Sequence, residues 1–354
     1  MDTLTHALSG ALLARATAPA EPTAGQLSAG KRTLVGFIAA VFPDSDFILR
    51  FIDPLTYLNL HRSYLNSVLL WPLWAILLAF IFSLLFRRRY SWRAFVGVCF
   101  LAIGIHILGD VITSFGTMIF APISFMRVAW PTTFIIDPYF SVIIVAGLIT
   151  SALWKRSRAP AVASLIVLAA YVGFQGLLLE RAEALAQRYA HANELADASA
   201  YALPQPLSPF NWMLVVVHGS TYHIARVSLL RNEVPDAAPA DAGALRRIAA
   251  SYRPVAHALW QRKYKFGGDA SLSPMVEAAW RQDVLRPYRE FALFPALYRI
   301  DHNGDNTCVW FRDLRFALAG RGPIFPFGLC RDDAASPWRL HQLSTVNEAS
   351  PLID

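Results

Sequence analysis

The sequence predicts an α-helical polytopic membrane bundle followed by a soluble α+β C-terminal domain. Of its 354 residues, 55% are hydrophobic and 16% are charged, whereas soluble domains carry about 25% charged residues. The mean hydropathy is +0.38. Long uncharged runs fill the first half, and from Glu180 the composition becomes that of a soluble domain. We therefore expect a membrane domain over residues 1–180, a connecting helix over 181–200 and an exported domain over 201–354.

The apolar runs define the helices of the expected bundle in chain order. Two short N-terminal helices are expected over residues 2–15 and 33–42, the second ending at Pro43. Later runs of roughly 20 residues are long enough to cross a bilayer as full spans. These four expected spans are residues 64–86, 94–112, 134–154 and 160–179. Residues 113–133 are interrupted by glycine and proline and are expected to re-enter the bundle.

Basic residues in the short loops set the expected orientation, because they are enriched on the cytoplasmic side. One set of loops holds ten of them: Arg15, Lys31, Arg32, Arg87, Arg88, Arg89, Arg93, Lys155, Arg156 and Arg158. The opposite set holds three: Arg50, Arg62 and Arg127. The first set should be cytoplasmic, which places the C-terminal domain outside the cell membrane. The net charge of +7 thus reflects membrane topology. The sequence shows no basic face with interleaved aromatic residues, which is the pattern expected of nucleic-acid binding.

The C-terminal domain should contain four or five strands. Strand-like stretches occupy residues 212–230, broken at Gly219, and residues 307–318. Helices are expected over residues 241–262 and 274–292. Cys308 and Cys330 lie in this domain and could pair in an oxidising compartment.

Candidate site residues fall at the expected outer ends of the helices. His106 and Asp110 stand four residues apart in an apolar run, which places them on one helical face, and Asp2 and His6 repeat the spacing. The other candidates are Asp44, Asp46, His61 and Asp137. Each alone also fits a helix cap, a turn or a structural ion pair. Together they predict a metal site, since imidazole with carboxylate suits zinc, with manganese or iron as alternatives.

Four ordered blocks carry a family resemblance: MDTLTHALSG, FPDSD, HRSYLNS and HILGDVITSFGTMIFAP. They resemble the YdjM-like family of LexA-regulated, inner-membrane-bound metal-dependent hydrolases. The third block departs from the family pattern H-R-G-x-T-H-S, because Asn66 stands where the second histidine is expected and Leu65 where the threonine is. Asparagine is a poor zinc ligand, so one metal position could be altered or lost.

The resemblance and the residue pattern together give a set of expected roles. Metal ligands are drawn from His6, Asp44, Asp46, His61, His106 and Asp110, with Asp2, Asn66 and Asp137 orienting them. Asp46 is expected as the general base and Arg62 as the group that holds a substrate phosphate.

The expected function is metal-dependent hydrolysis of a phosphoester or lipid-like substrate at the outer face of a bacterial inner membrane. A more distant similarity to zinc-dependent phospholipase C points to the same substrate class. The expected partners are membrane lipids and a small-molecule or lipid substrate, without nucleic acid. The alternative is a membrane scaffold or metal-binding protein without hydrolytic turnover, which the residue at Asn66 favours.

Overall fold

The computed structural model of the chain describes residues 1–239, 241–319, 321–322, 324–333 and 335–343. Two compact units emerge from the backbone contacts. The first comprises Met1–Ile48, Leu60–Leu179 and Pro206–Pro209. The second comprises Leu49–Asn59, Glu180–Gln205 and the chain from Phe210 onward.

Seven α-helices precede the first strand among the described residues. They are α1 (Thr3–Ala16), α2 (Ala29–Ala39), α3 (Pro54–Leu60), α4 (Trp71–Leu85), α5 (Arg93–Val111), α6 (Pro138–Leu153) and α7 (Ala159–Ala192). Short 3-10 helices cover Phe42–Phe51 and Tyr64–Asn66. The expected short helices at the N-terminus are therefore present, and the FPDSD block lies in a 3-10 helix directly after α2.

Helices α1 and α2 cross at a pair of glycines. A Cβ added at Gly10 would lie 2.4 Å from the Gly36 carbonyl oxygen, and one added at Gly36 would lie 2.5 Å from that of Gly10. Only glycine permits so close a backbone approach. The crossing brings the start of α1, with His6, close to the end of α2 and the residues that follow it.

The expectation of four full spans is not confirmed. By length and composition, α5 and α7 could each cross a membrane. A third span is possible if Pro54–Asn66 and Trp71–Leu85, a pair bent by 81°, count as one. Helix α6 is apolar but has only 16 residues.

The expected span over residues 64–86 begins later than its hydropathy indicates. Helix α4 starts at Trp71, with Pro72 in its first turn. Before it, Ser67 is extended, and its hydroxyl oxygen accepts hydrogen bonds from the amides of Leu69 and Leu70. A proline favours a helix start and disfavours helical backbone before it. Pro72 therefore indicates a helix start at Trp71, which hydropathy alone does not show.

One further boundary differs from expectation. The last apolar run continues without a break into the Ala-rich segment, so α7 is one helix of 34 residues. No glycine or proline interrupts it after residue 176, and its alanine, glutamate and leucine residues favour helix. Residues 113–133, which were expected to re-enter the bundle, form a loop with a bridge between Thr117 and Val128. The Met118 amide of this loop donates to the Arg62 carbonyl oxygen.

The second unit contains two sheets. The first is formed by β1 (Ser199–Pro204), β2 (Asn211–His218), β3 (Thr221–Ser228), β4 (Arg253–Pro254) and β5 (Gln261–Tyr264), with β4 and β5 both pairing with β3. The second is an antiparallel meander of β6 (Pro295–Asn303), β7 (Asn306–Asp313), β8 (Phe327–Arg331) and β9 (Arg339–Gln342). Described residues thus provide nine strands, and the expectation of four or five was too low because several strands are short and polar.

The helices expected within the C-terminal domain are shorter than predicted. After Phe210 the described α-helices are α8 (Ala244–Ala250), α9 (Ser273–Trp280) and α10 (Arg286–Phe291). The first expected helix ends at Ala250, and Pro254, which does not fit a helix interior, lies in β4 shortly after it. Pro287 divides the second, since proline fits the start of a new helix better than the middle of an old one. Cys308 and Cys330 face each other across β7 and β8 and form a disulfide.

Candidate metal centre

The candidate site lies at the C-terminal end of α5, where His106 and Asp110 occupy the same helical face. Both side chains are fully buried, and Ile103 and Ile107 of the same helix belong to the apolar core. Burying a carboxylate without partners is very costly. The groups around Asp110 therefore determine what the site can do.

Two other parts of the chain converge with α5. The ligand atoms of four side chains, from His6 of α1, Asp44 of the FPDSD block, and His106 and Asp110 of α5, all lie within 4.8 Å of one another. We call these four residues the His/Asp cluster. Each was predicted as a metal ligand from the sequence, and the structure brings them together.

The Asp110 carboxylate has polar contacts on both oxygens. Its Oδ1 contacts the Met1 amino group at 2.7 Å, Arg62 Nη2 at 3.0 Å and His6 Nε2 at 3.0 Å. Its Oδ2 contacts Asn66 Nδ2 at 2.8 Å and His106 Nε2 at 3.2 Å. The negative charge is thus offset by a buried guanidinium, and the Met1 amino group and two imidazole nitrogens also contact the carboxylate.

The hydrogen bonds of His106 define its protonation pattern. Its Nδ1 lies 2.7 Å from the Ala40 carbonyl oxygen, which can only accept, so Nδ1 carries a proton. Its Nε2 faces Asp110 Oδ2 at 3.2 Å and Asp44 Oδ1 at 3.6 Å. A neutral ring would direct a lone pair at two carboxylates. The arrangement is favourable only when a proton or a metal cation lies between these atoms.

His6 is held against His106 by ring stacking. The two ring centroids are 3.7 Å apart with an interplanar angle of 21°. Gly109 makes room for this ring, since an added Cβ would lie 3.1 Å from His6 Cε1. The buried Nδ1 of His6 has no hydrogen-bond partner within the described part of the chain.

Asp44 is the most accessible member of the cluster, with its side chain 13% exposed. The Thr3 hydroxyl donates a hydrogen bond of 2.7 Å to Asp44 Oδ2, which leaves Oδ1 directed toward His106. A ligand or substrate could therefore reach the cluster most directly past Asp44.

Asp46 and His61 form a separate pair beside the cluster. Asp46 Oδ1 lies 2.9 Å from His61 Nδ1, and Asp46 Oδ2 accepts a hydrogen bond of 3.0 Å from the Arg62 amide. Both were predicted as metal ligands, but the four-residue cluster does not include them. Arg62 links the two groups, because its amide contacts Asp46 and its guanidinium contacts Asp110.

Arg62 is buried and held on several sides. Its Nη1 donates to the Thr113 hydroxyl at 2.8 Å, and its guanidinium lies 4.9 Å from the centre of the Phe115 ring. Its backbone has a φ of +63°, a strained value for a residue other than glycine. This left-handed backbone directs the Arg62 amide to the Asp46 carboxylate and the guanidinium to the Asp110 carboxylate. The predicted role in holding a substrate phosphate would have to compete with these contacts.

The three residues expected to orient ligands lie in different surroundings. Asn66 contacts Asp110 directly, while its Oδ1 is buried without a hydrogen-bond partner among the described residues. Asp2 caps α1 by accepting from the amide and hydroxyl of Thr5. Asp137 caps α6 and also accepts from Tyr171 and Gln175. Asp2 and Asp137 therefore have cap contacts that account for their positions.

Some site groups were not predicted from the sequence. They are the Met1 amino group, the Thr3 and Thr113 hydroxyls and the Ala40 carbonyl oxygen. Thr113 follows Asp110 by three residues, a spacing that places both on one side of a helical turn. The Ala40 carbonyl gives no signal, because every residue has one.

The residues present fit a divalent cation. Two imidazole nitrogens and two carboxylate oxygens form a donor set that zinc accepts, and manganese and iron accept it as well. The His106 Nδ1–H bond to a backbone carbonyl is the usual way of orienting a metal-binding histidine. The buried nitrogens His6 Nδ1 and His106 Nε2 have no hydrogen-bond partner in the described regions. The structure thus supports a metal-binding capacity without identifying the metal.

The first half of the chain is similar to known proteins, and this similarity identifies its family. The uncharacterized protein YfhP of Bacillus subtilis (strain 168) is 26% identical over 179 residues, which cover 49% of this chain and 52% of that protein. The chain thus spans about half the length of this relative. No solved structure matches the chain. The YdjM inner membrane protein family matches residues 1–182, which contain the whole His/Asp cluster and confirm the resemblance noted above. The chain belongs to the YdjM inner membrane protein family.

Proposed function

We propose that the chain is a membrane-bound metal-dependent hydrolase whose metal is held by the His/Asp cluster. The observation that supports it most is the convergence of four ligand atoms within 4.8 Å, with His106 Nε2 facing two carboxylates. In known hydrolases a metal at such a site polarises a substrate oxygen and lowers the pKa of water. The holding residues would be His6, Asp44, His106 and Asp110.

The Asp46–His61 pair supplies the base in this proposal. With Asp46 accepting from Nδ1–H, the His61 ring would be oriented so that Nε2 is the atom that takes a proton from water. The sequence analysis predicts Asp46 itself as the base. The geometry favours His61, because both Asp46 oxygens are engaged, one by the ring and one by the Arg62 amide.

The proposed substrate is an amphiphilic phosphoester, such as a phospholipid or another envelope lipid. The site lies at the end of the apolar helix α5, and the following loop exposes Ile123 and Met126, which are 83% and 63% accessible. Exposed apolar side chains of this kind suit contact with acyl chains. Equal turnover of a soluble ester and a lipid would argue against this substrate class.

We place the C-terminal domain outside the cytoplasm. The distribution of basic residues favours this orientation, and the Cys308–Cys330 disulfide supports it because disulfides persist in oxidising compartments. In intact cells a membrane-impermeant maleimide, added after mild reduction, should label Cys308 and Cys330. Labelling only after lysis would contradict the orientation.

The test of hydrolysis is turnover by the full chain loaded with zinc or manganese. Bis(4-nitrophenyl) phosphate and a fluorescent phospholipid in mixed micelles serve as the two substrates. His61→Gln should lower turnover by roughly 100-fold or more while keeping the metal, because His61 lies outside the His/Asp cluster. Parent-like turnover in that variant would exclude His61 as the base, and loss of metal would place it among the ligands.

A second candidate function is a metal-binding or scaffold protein without turnover. It is favoured by Asn66, which donates its amide to Asp110 and offers no imidazole. It is also favoured by Arg62, which already offsets the Asp110 charge. Stoichiometric metal without turnover of either substrate would select this function over hydrolysis.

A further inference from the structure

The second unit contains a cavity of about 360 Å³ lined by three arginines. Arg226 comes from β3, Arg247 from α8 and Arg253 from β4. Apolar side chains, including Ile224 and Leu259, form much of the remaining wall, with Gln261 of β5 beside them. Cavities of about 300 Å³ or more are the size that binds small molecules. We call this space the arginine cavity.

The described part of the protein does not offset the positive charge of the arginine cavity. Across the described residues, none of its three guanidinium groups forms an ion pair, and no carboxylate lines it. Arg226 and Arg247 each donate to a backbone carbonyl, of Ala317 and Ala242 respectively. The buried Nε of Arg226 has no hydrogen-bond partner among the described residues. Neutral carbonyls satisfy some donors but leave the charge in place.

Two further basic residues, Arg312 and Lys263, interact electrostatically with Arg226 and add to the positive potential. Burial lowers the pKa of Arg226, Tyr252 raises it, and Arg312 lowers it. Burial likewise lowers the pKa of Lys263, and both Arg312 and Arg226 lower it further. Like charges held together in a partly buried place are unfavourable unless an anion joins them.

We propose that the arginine cavity binds a phosphate group carried by a small organic molecule or by an anionic phospholipid headgroup. Guanidinium groups match phosphate because their paired N–H donors bond two oxygens at once. Three of them suit an anion with several oxygens better than a single carboxylate. The apolar wall would contact the organic part of the ligand. This site lies in the second unit and is independent of the proposed hydrolase function.

The test uses the full chain in a neutral detergent and calorimetric titration with three probes. Glycerol 3-phosphate represents a free phosphate ester, dihexanoyl phosphatidylglycerol a lipid headgroup, and dihexanoyl phosphatidylcholine a lipid without net charge. Binding of glycerol 3-phosphate supports a soluble ligand. Binding of phosphatidylglycerol alone supports a lipid headgroup. Equal binding of both lipids without glycerol 3-phosphate, or no binding of any probe, would overturn the proposal.

Matched variants identify the cavity as the binding place. Arg247→Ala and Arg253→Ala should each weaken binding by roughly tenfold. The control is Arg246→Ala, whose side chain is exposed next to Arg247 but does not line the cavity, and it should bind like the parent. Arg253→Lys keeps the charge and should bind with intermediate affinity, which guards against misreading an unfolded alanine variant. Equal effects of all three alanine variants would overturn the assignment.

Discussion

Two buried aspartates in the first unit, Asp110 and Asp137, show how carboxylates at the ends of apolar helices can acquire different chemistry. Each lies at one end of an apolar helix, and each is almost completely buried. Asp137 accepts from the Tyr139 and Phe140 amides and from Tyr171 and Gln175, which are neutral donors. Asp110 is surrounded instead by a guanidinium, an amino group and two imidazoles.

The difference follows from which end of the helix each residue occupies. At an N-terminus, free backbone amides point outward and satisfy a carboxylate locally. At the C-terminal end of α5 no such amides are present, so Asp110 needs partners from distant parts of the chain. Two of those partners, His6 and His106, belong to the His/Asp cluster that can hold a metal. A buried carboxylate at a helix C-terminus is therefore the stronger indication of a site.

The largest expected effect comes from Asp110→Asn. The substitution removes the carboxylate that pairs with the buried Arg62 guanidinium. A buried charge that loses its partner lowers the free energy of unfolding by roughly 3–5 kcal/mol. Thermal unfolding in detergent should show this loss, and the variant should retain no metal. Parent-like unfolding together with parent-like metal content would show that Asp110 is not central to the site.

Asp137→Ala should have a smaller effect confined to stability. Loss of the helix cap costs about 1 kcal/mol, and the buried donors of Tyr171 and Gln175 lose an acceptor, which adds roughly 1–3 kcal/mol. Metal content should equal that of the parent, because Asp137 contacts no member of the His/Asp cluster in the described contacts. Asp137→Asn retains an amide oxygen and should lose less stability. Loss of metal in either variant would remove the distinction between the two aspartates.

The smallest expected effect comes from Asn66→His, which restores the histidine of the family pattern. The new ring would stand beside Asp110 where a buried amide now stands, and its nitrogen could join or orient the ligands. We expect zinc affinity to rise by about tenfold, measured by competition with a chelating dye. Leu65→Thr, which restores the other departure without adding a ligand, is the matched control. Weaker zinc binding in Asn66→His would show that the asparagine is itself part of the site.

The sequence predicted the four residues of the His/Asp cluster better than it predicted the helices. His106 and Asp110 were identifiable because helical spacing alone places them on one face, and His6 and Asp44 because each stands in a distinctive block. The pairing of Asp46 with His61 was not predictable, since it depends on the left-handed backbone of Arg62. The start of α4 at Trp71 was misjudged because hydropathy does not register the effect of Pro72. The short strands β4 and β5 gave no alternating pattern long enough to recognise.

The most direct test of the account is the metal content of the full chain purified in detergent without chelators. Elemental analysis should find about one equivalent of zinc, manganese or iron for a single four-ligand site. The double variant Asp44→Ala, His106→Ala should hold none, and Asp137→Ala should match the parent. No stoichiometric metal in the parent, even after reconstitution with each ion, would contradict the metal centre and leave the His/Asp cluster as a structural ion-pair network.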